Sequence, residues 1–301
     1  YNPSIPYNKE FGVALPPMYT VEEVVQLVIN DLKEAETLLA SDPIVSTVPY
    51  TLGTKSDADK YVARMNLYGV KAMLARVYQA KGDNVKAVAY AKEVIESGKF
   101  RLLEFASVDQ TEALTDVLFS DEHIFSLRNK ELKDYSEKLH RDEKKDGATS
   151  FKPLPFGSYY NWYEGNNDDV RYSKWFNLGD FMKYYMDNTD AFFRKMPMIK
   201  LSEMYLIVAE CSFDTDSEMS LEYLNVLRDH RIRNHVHLQY LSKESIQDEM
   251  RREYLGEGQM WYVMKRNNLK IETGASSGDI EPSDVVYVFP MPDAEIEDGH
   301  R

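Results

Sequence analysis

Apolar residues recur at helical spacing in two blocks of the chain and lose that spacing between them. After an extended, proline-punctuated opening over residues 1–19, Thr20 with Glu23 three positions on forms a capping box. Val21, Val24, Val28, Leu32, Ala35 and Leu39 then follow every three or four residues, which predicts an amphipathic helix ending at Asp42-Pro43. Residues 43–56 read as a loop. From about Asp59 to Lys81 the apolar residues fall on more than one face, the mark of a helix buried between neighbours. Gly82-Asp83 turns the chain, and a partner helix carrying Val88, Ala91 and Ile95 stops at Gly98, a helix C-cap residue. Helical periodicity resumes at Leu201 with Met204, Tyr205, Val208 and Ala209, pairs with a second helix from Ser217 through Leu221, Leu224 and Leu227, and starts again at Ser242.

Within the first block, Leu74, Ala75, Tyr78, Gly82, Ala87, Ala91 and Val94 fall where a tetratricopeptide unit places its packing residues. Small residues let the two helices approach, and Tyr78 fills the gap below them. The second hairpin fits the same repeat after a one-residue slip. The fold class is therefore all-α: tetratricopeptide-like helix pairs, a long irregular, loop-rich excursion, and a few short strands. The expected division of one 1–301 domain is a helical hairpin region over 20–98, an excursion over 99–196 and a C-terminal helical region over 197–301. In the excursion "HIFSLRN" (123–129) reads as a short strand, and "ELKDYSEKLHRDEKKDG" (131–147) as a solvated helix or loop. Near the end, "VVYVFPMP" (285–292) is a β-prone run stopped by prolines. An excursion of this length inside a helical domain points to function.

Its most unusual part is "YYNWYEGNNDDVRYSKWF" (159–176), too aromatic for a solvated loop and too polar for a core strand. Aromatic faces bury the apolar C–H patch of a pyranose while its hydroxyls stay wet or bond to neighbouring amides and carboxylates. Tyr159, Tyr160, Trp162, Tyr163 and Trp175, with Asn166 as a polar partner, are the candidate glycan-binding residues. In an extended segment Tyr160 and Trp162 would share one face and Tyr159 and Tyr163 the other. The competing reading makes these rings a satellite core under the loop. Asp169-x-Arg171 reads as the loop's internal fastening.

Composition removes several functions. The chain has 301 residues and a net charge of −14, so it offers no basic face to phosphates or to anionic membranes. Its single cysteine, Cys211, excludes an internal disulfide and a cysteine metal site, and sits in a helical run that reads as buried. No run approaches eighteen apolar residues, and nothing reads as a secretory signal. The chain is expected to be the C-terminal portion of a longer protein. Carboxylates are abundant, but a glycosidase needs two facing each other across a sugar, and the adjacent Asp168 and Asp169 diverge. Neither a phosphate loop nor a nucleophile with a base is found, so no catalytic residue and no cofactor is assigned. His235 and His237 in "HVH" could share a face for a metal, but lack a third ligand in the sequence nearby and are flanked by Arg231 and Arg233.

Three C-terminal stretches resemble the SusD/RagB-like family. "MIKLSEMYLIVAECS" with "SLEYLNVLRDHR" is similar to its helix pair, through Glu203 or Glu210 and through Asn225 and Arg228. "EMRREYLGEGQMWYVMKRNN" resembles its Glu-Arg block, through Glu249, Arg251 or Arg252, Glu253, Leu255, Glu257, Gly258 and Arg266, with Gln259 where the family often has Arg. "YVFPMPDAEIEDG" resembles its ending, through Pro290, Pro292 and Glu295. The Glu-Arg block reads as a structural network, with Asp248–Arg252 and Glu249–Arg252 as helical pairs. The resemblance implies a non-enzymatic lipoprotein at the surface of an outer membrane. Such a protein binds a polysaccharide or oligosaccharide and caps a SusC-like TonB-dependent transporter for nutrient uptake. A peptide-binding helical scaffold and an all-α glycosidase are the alternatives, and some relatives carry peptide cargo. The membrane anchor and a further helical portion would precede this chain, and without that portion apolar helix surface is expected to be exposed.

Overall fold

The computed structural model describes residues 5–12, 16–49, 60–109, 116–140, 161–165, 167–177, 180–185, 195–273, 278–290 and 293–297. The helices in chain order are α1 (Val21–Leu38), α2 (Leu67–Lys81), α3 (Asn84–Glu96), α4 (Phe105–Val108), α5 (Leu132–His140), α6 (Val170–Trp175), α7 (Leu201–Ser212), α8 (Ser217–Asp229), α9 (Lys243–Glu253), α10 (Met260–Asn267), α11 (Asp284–Tyr287) and α12 (Asp293–Glu297). The strands are β1 (Ile5–Pro6), β2 (Met18–Tyr19), β3 (His123–Arg128), β4 (Phe176–Asn177), β5 (Asp180–Phe181) and β6 (Lys195–Lys200). They form three antiparallel two-stranded ribbons, β1–β2, β3–β6 and β4–β5. No helix among the described residues is long and apolar enough to cross a membrane.

The helix pairs form where the apolar spacing places them. Thr20 and Glu23 make the reciprocal capping box that starts α1. Asn66 caps α2, which begins later than Asp59, the residues just before it being turns. Gly82 ends α2 at φ 81°, a conformation that costs glycine nothing, and Asp83 caps α3 by accepting from the Lys86 amide. Leu74, Ala75, Tyr78, Ala87, Ala91 and Val94 are all buried. Tyr78 stacks on Tyr90 with centroids 5.7 Å apart. Helix α3 packs against α7, and α7 against α8, so the two hairpins share one apolar layer.

Two expectations need correction. The buried side of α1 is set by Ile29, with Val25, Leu32, Ala35 and Leu39 beside it, while Val24 and Val28 line an open groove. Residues 284–287 form a helical turn in place of a strand. Amides of Val286 and Tyr287 donate to the Ser283 carbonyl, and the Tyr287 ring sits 5.3 Å from Trp261, an anchor stronger than β-propensity. The predicted strand at 123–129 forms as β3 (123–128), and it pairs with β6, "KMPMIK", which holds Pro197. In a two-stranded ribbon one side of a strand needs no hydrogen bonds, so proline is tolerated. The charged run is α5 up to His140; residues 141–147 lie outside the described set.

Candidate functional site

The site region is where the 161–177 segment lies against α8, α9 and the turn that follows α8. Asp169 is the N-cap of α6: its Oδ1 accepts from the Arg171 amide, and both its oxygens hold the Arg171 guanidinium at 2.7 and 3.0 Å. The Val170 amide donates to the Arg231 carbonyl, which joins the segment to the end of α8. The Asp-x-Arg fastening expected from sequence is thus present.

Arg171 also opens a buried ionic chain. It meets Glu249 at 2.7 Å and Glu253 at 3.2 Å. Glu253 further receives Arg231 and Lys200, at 2.9 and 2.8 Å. Arg231 reaches on to Glu122, and Lys200 to Glu257, which also holds Lys183. At the other end Glu249 takes Arg228 and Arg252, at 2.8 and 2.9 Å, and both arginines extend to the half-exposed Glu164. Among the described residues, six cations (Arg171, Arg228, Arg231, Arg252, Lys183, Lys200) therefore face six carboxylates (Asp169, Glu122, Glu164, Glu249, Glu253, Glu257), and their charges balance. Neutrality and hydrogen bonding are what make such burial tolerable. Burial pushes the Glu249 carboxyl up, but Arg171, Arg252 and Arg228 together outweigh it and hold it far below the usual carboxylate range. The same contest at Glu253, against Arg231 and Lys200, has the same outcome. Lys183 goes the other way: burial with Lys200 nearby brings it down to about 8 despite Glu257.

The Glu-Arg block is thus a structural network, as its spacing suggested. One pairing differs: Asp248 contacts Arg251 at 3.4 Å, which frees Arg252 for Glu249 and Glu164. Glu203 and Glu210 both serve as links, to Arg76 and Arg266. Sequence reasoning missed Glu122, Lys183 and Lys200, whose only signal was a charged side chain beside an apolar run. In the family-like ending, Pro292 and the side chain of Glu295 lie outside what can be described.

The candidate aromatic residues separate sharply. Tyr163 is buried: its hydroxyl donates to the Arg252 carbonyl, and its ring lies among Tyr172, Phe176 and the Arg171 guanidinium. Trp175 has no exposed surface; it stacks on Phe119 at 5.5 Å, donates from Nε1 to the Val117 carbonyl, and carries the Lys183 ammonium 3.9 Å from its centre. Both residues are therefore corrected from glycan contacts to core. The physical reason is that the segment does not stay extended. It turns at Glu164 and Gly165, at φ 59° and 65°, and then forms α6, which carries Trp175 inward. Trp162 keeps a partly exposed ring. Arg251 lies over that ring, 5.6 Å from its centre, and Arg252 Nε donates to the Trp162 carbonyl at 2.6 Å. Asn161, Glu164, Asn167 and Asp168, its neighbours in the chain, are exposed. Tyr159, Tyr160 and Asn166 lie outside the described residues.

Next to this turn Arg228 donates to Nε2 of His235, whose Nδ1 is 2.8 Å from Asp229; His237 Nε2 is also 2.8 Å from Asp229. The third potential ligand that the "HVH" motif seemed to lack is thus supplied by the end of α8. Away from this face, a cavity of about 380 Å³ opens between α1, α2 and α10, lined by Val24, Val28, Val77, Tyr262 and Val263.

A family model described as SusD family matches residues 155–288, a stretch that contains the Trp162 turn, α6 and nearly all of the ionic chain. No significant match was found among curated proteins. Among solved structures, a SusD superfamily protein of Bacteroides thetaiotaomicron is 22% identical, with a TM-score of 0.70 over 98% of this chain and 69% of its own. A SusD superfamily protein of Bacteroides vulgatus is also 22% identical, with a TM-score of 0.64 over 93% of this chain and 64% of its own. Surface glycan-binding protein A of Bacteroides uniformis is 18% identical, with a TM-score of 0.67 over 99% and 72%. The chain thus spans roughly two thirds of the length of these structures, and at such identities the likeness is one of fold. Residues 155–288 thus carry a sequence pattern similar to that of the SusD family, and nearly the whole chain shares the helical-pair fold of these solved structures.

Proposed function

We propose that the chain binds a polysaccharide or oligosaccharide at the cell surface, without cutting it, and passes it to a SusC-like TonB-dependent transporter of the outer membrane. The observation that carries this reading is the Trp162 turn. Trp162 is partly exposed, with Arg251 over its ring and Arg252 bonded to its backbone carbonyl, and the neighbouring Glu164 is held by Arg228 and Arg252. A sugar gains most from a ring that loses little freedom on binding. Tyr159, Tyr160 and Asn166, which precede and follow the turn, belong to the proposed platform on sequence grounds. A surface glycan-binding protein with this fold supports the ligand class. An outer-membrane location by an N-terminal lipid anchor, and a role as lid on the transporter, rest on the family alone.

The carboxylates of this face favour holding over hydrolysis. A glycosidase acid needs a carboxyl raised above its usual range. Burial raises Glu164, but Arg228 and Arg252 outweigh that and bring it down; Glu249 is held lower still. The test is affinity for a panel of soluble polysaccharides. One class should bind, and Trp162→Ala should weaken it by about tenfold or more, the loss of 1.5–3 kcal/mol of ring burial. Binding of no glycan, or an unchanged affinity in Trp162→Ala, would remove the reading. A peptide-binding scaffold is favoured by one other observation, the apolar groove between α1, α2 and α10. A captured peptide whose binding is lost on Val28→Glu, with no sugar bound, would establish that reading in place of the first.

A further inference from the structure

The turn after α8 brings Asp229, His235 and His237 together. Asp229 is the last residue of the helix. The chain leaves through residues 231–233, where the Arg231 carbonyl accepts from the Val170 amide and the Arg233 amide donates to the Asp168 carbonyl, and reverses at Asn234, at φ 54°. Asn225 then fixes the return by bonding both the amide and the carbonyl of Leu238, at 2.9 and 3.0 Å. His235 and His237, two residues apart, therefore lie over the helix end on one side, with ring centres 5.6 Å apart. One donor atom from each of the three residues falls within 4.8 Å of the others.

The flanking arginines do not oppose a cation here. Arg231 is turned inward to Glu122 and Glu253, and Arg233 lies over Phe105 and pairs with Asp109. The helix adds its own contribution, since the C-terminal end of a thirteen-residue helix carries partial negative charge beside Asp229. Among the described residues, the cation in contact is Arg228, whose Nε donates to His235 Nε2 at 3.1 Å. That bond places the His235 proton on Nδ1, toward Asp229.

We propose that Asp229, His235 and His237 form a binding site for a divalent transition metal of the zinc class. Two imidazole nitrogens and one carboxylate are a donor set for Zn²⁺, Co²⁺, Ni²⁺ or Cu²⁺, whereas Ca²⁺ and Mg²⁺ require oxygen-rich cages. The ion replaces the two hydrogen bonds that now run from the rings to Asp229. At His235 the proton moves from Nδ1 to Nε2, and Arg228 gives up that contact while keeping Glu164 and Glu249. At His237 the proton moves to Nδ1. The side chains of His237 and Asp229 are 58% and 40% exposed, so the remaining coordination positions face solvent. The ion thereby staples the 230–238 turn to the end of α8, and its release from Arg228 is felt at Glu164, two residues from Trp162.

The experiment uses the full, untagged chain stripped of metal and titrated with Zn²⁺ by calorimetry, with Co²⁺ absorption as a report on the ligands. One saturable site is expected, with visible bands that carry imidazole ligation. His237→Ala and Asp229→Asn, both at exposed side chains, should weaken it by about tenfold or more, since even outer-shell changes cost that much, with an unchanged circular dichroism spectrum. Ca²⁺ at the same concentration should not compete. Absence of a saturable site, equal affinity in both variants, or displacement of Zn²⁺ by Ca²⁺ would each overturn the assignment. No glycan enters the measurement, so its outcome is independent of the ligand proposed at Trp162.

Discussion

The protein has two interiors that solve burial in opposite ways. Between the helix pairs, Leu74, Ala75, Ala87, Ala91, Val94, Leu206 and Val208 meet as a purely apolar layer. Under the 161–185 segment, aromatic rings (Trp175, Phe119, Phe181, Tyr163) surround a neutral chain of twelve charges. Helix α9 serves both. Ile246 and Met250 face the apolar layer, and Glu249 and Glu253 face the ionic one, each pair four residues apart and each fully buried. A stripe of glutamates that helical patterning assigns to water is the fastening of the irregular half. The apolar layer gains from each contact independently, whereas the ionic chain holds only while every member is present.

That difference predicts the largest effect. Arg231→Ala leaves Glu253 and Glu122 short of a partner in a dry site and should cost about 3–5 kcal/mol in urea unfolding. A loss below 1 kcal/mol would mean that water reaches the network. Trp175→Ala, in the same interior, should cost a comparable 3–5 kcal/mol. In the apolar layer Leu74→Ala should cost about 2–5 kcal/mol through its cavity, but with no change in pH dependence, which is what separates the two interiors.

Acid tests the ionic half next. Glu249 and Glu253 titrate lower in the fold than unfolded, so their contribution is complete above the unfolded value of about 4.3 and is lost as pH falls below it. His123 adds an earlier loss. Burial brings it down to about 3, against the pull of the Leu118 carbonyl, so the unfolded chain takes up a proton below about 6.5 that the fold refuses. Stability should therefore fall from pH 6.5 to 3, by up to about 1.4 kcal/mol per pH unit for that one proton. His123→Gln should flatten the slope between pH 6.5 and 4.5 and leave the steeper carboxylate phase below it. An unchanged slope above pH 4.5 would place the acid sensitivity elsewhere.

The two halves also differ in how far the sequence revealed them. Helical spacing, the Thr20 capping box and the Gly82 turn mark α1, α2 and α3 because each rests on contacts within a few residues. The second hairpin and the Asp169-x-Arg171 bond are local in the same sense. The ionic chain is not: Glu122 meets Arg231 across 109 positions and Lys200 meets Glu253 across 53, and no periodicity announces such partners. The same distance effect explains the aromatic segment. The ring count was visible, but which rings turn inward depends on Phe119, Val117 and Lys183, all remote in the chain. The third member of the His cluster was only six residues from His235, yet a helix end and an αL turn had to fold it back.

Trp162 and Trp175 lie thirteen positions apart and give the finest comparison. Trp175 is closed in by an aromatic neighbour, a backbone acceptor and an ammonium group; Trp162 has one guanidinium over its ring and solvent beside it. A cation over an exposed ring is worth about 0.5–1 kcal/mol, so Trp162→Ala should lower stability by no more than about 1 kcal/mol. Arg252 bonds the backbone carbonyl of residue 162 rather than its ring, so the turn keeps its fastening in that variant. A small stability loss together with a large loss of glycan affinity would mean that the ring is kept at the surface for its ligand. A loss near that of Trp175→Ala would place Trp162 in the same aromatic interior and leave the platform to Tyr159 and Tyr160.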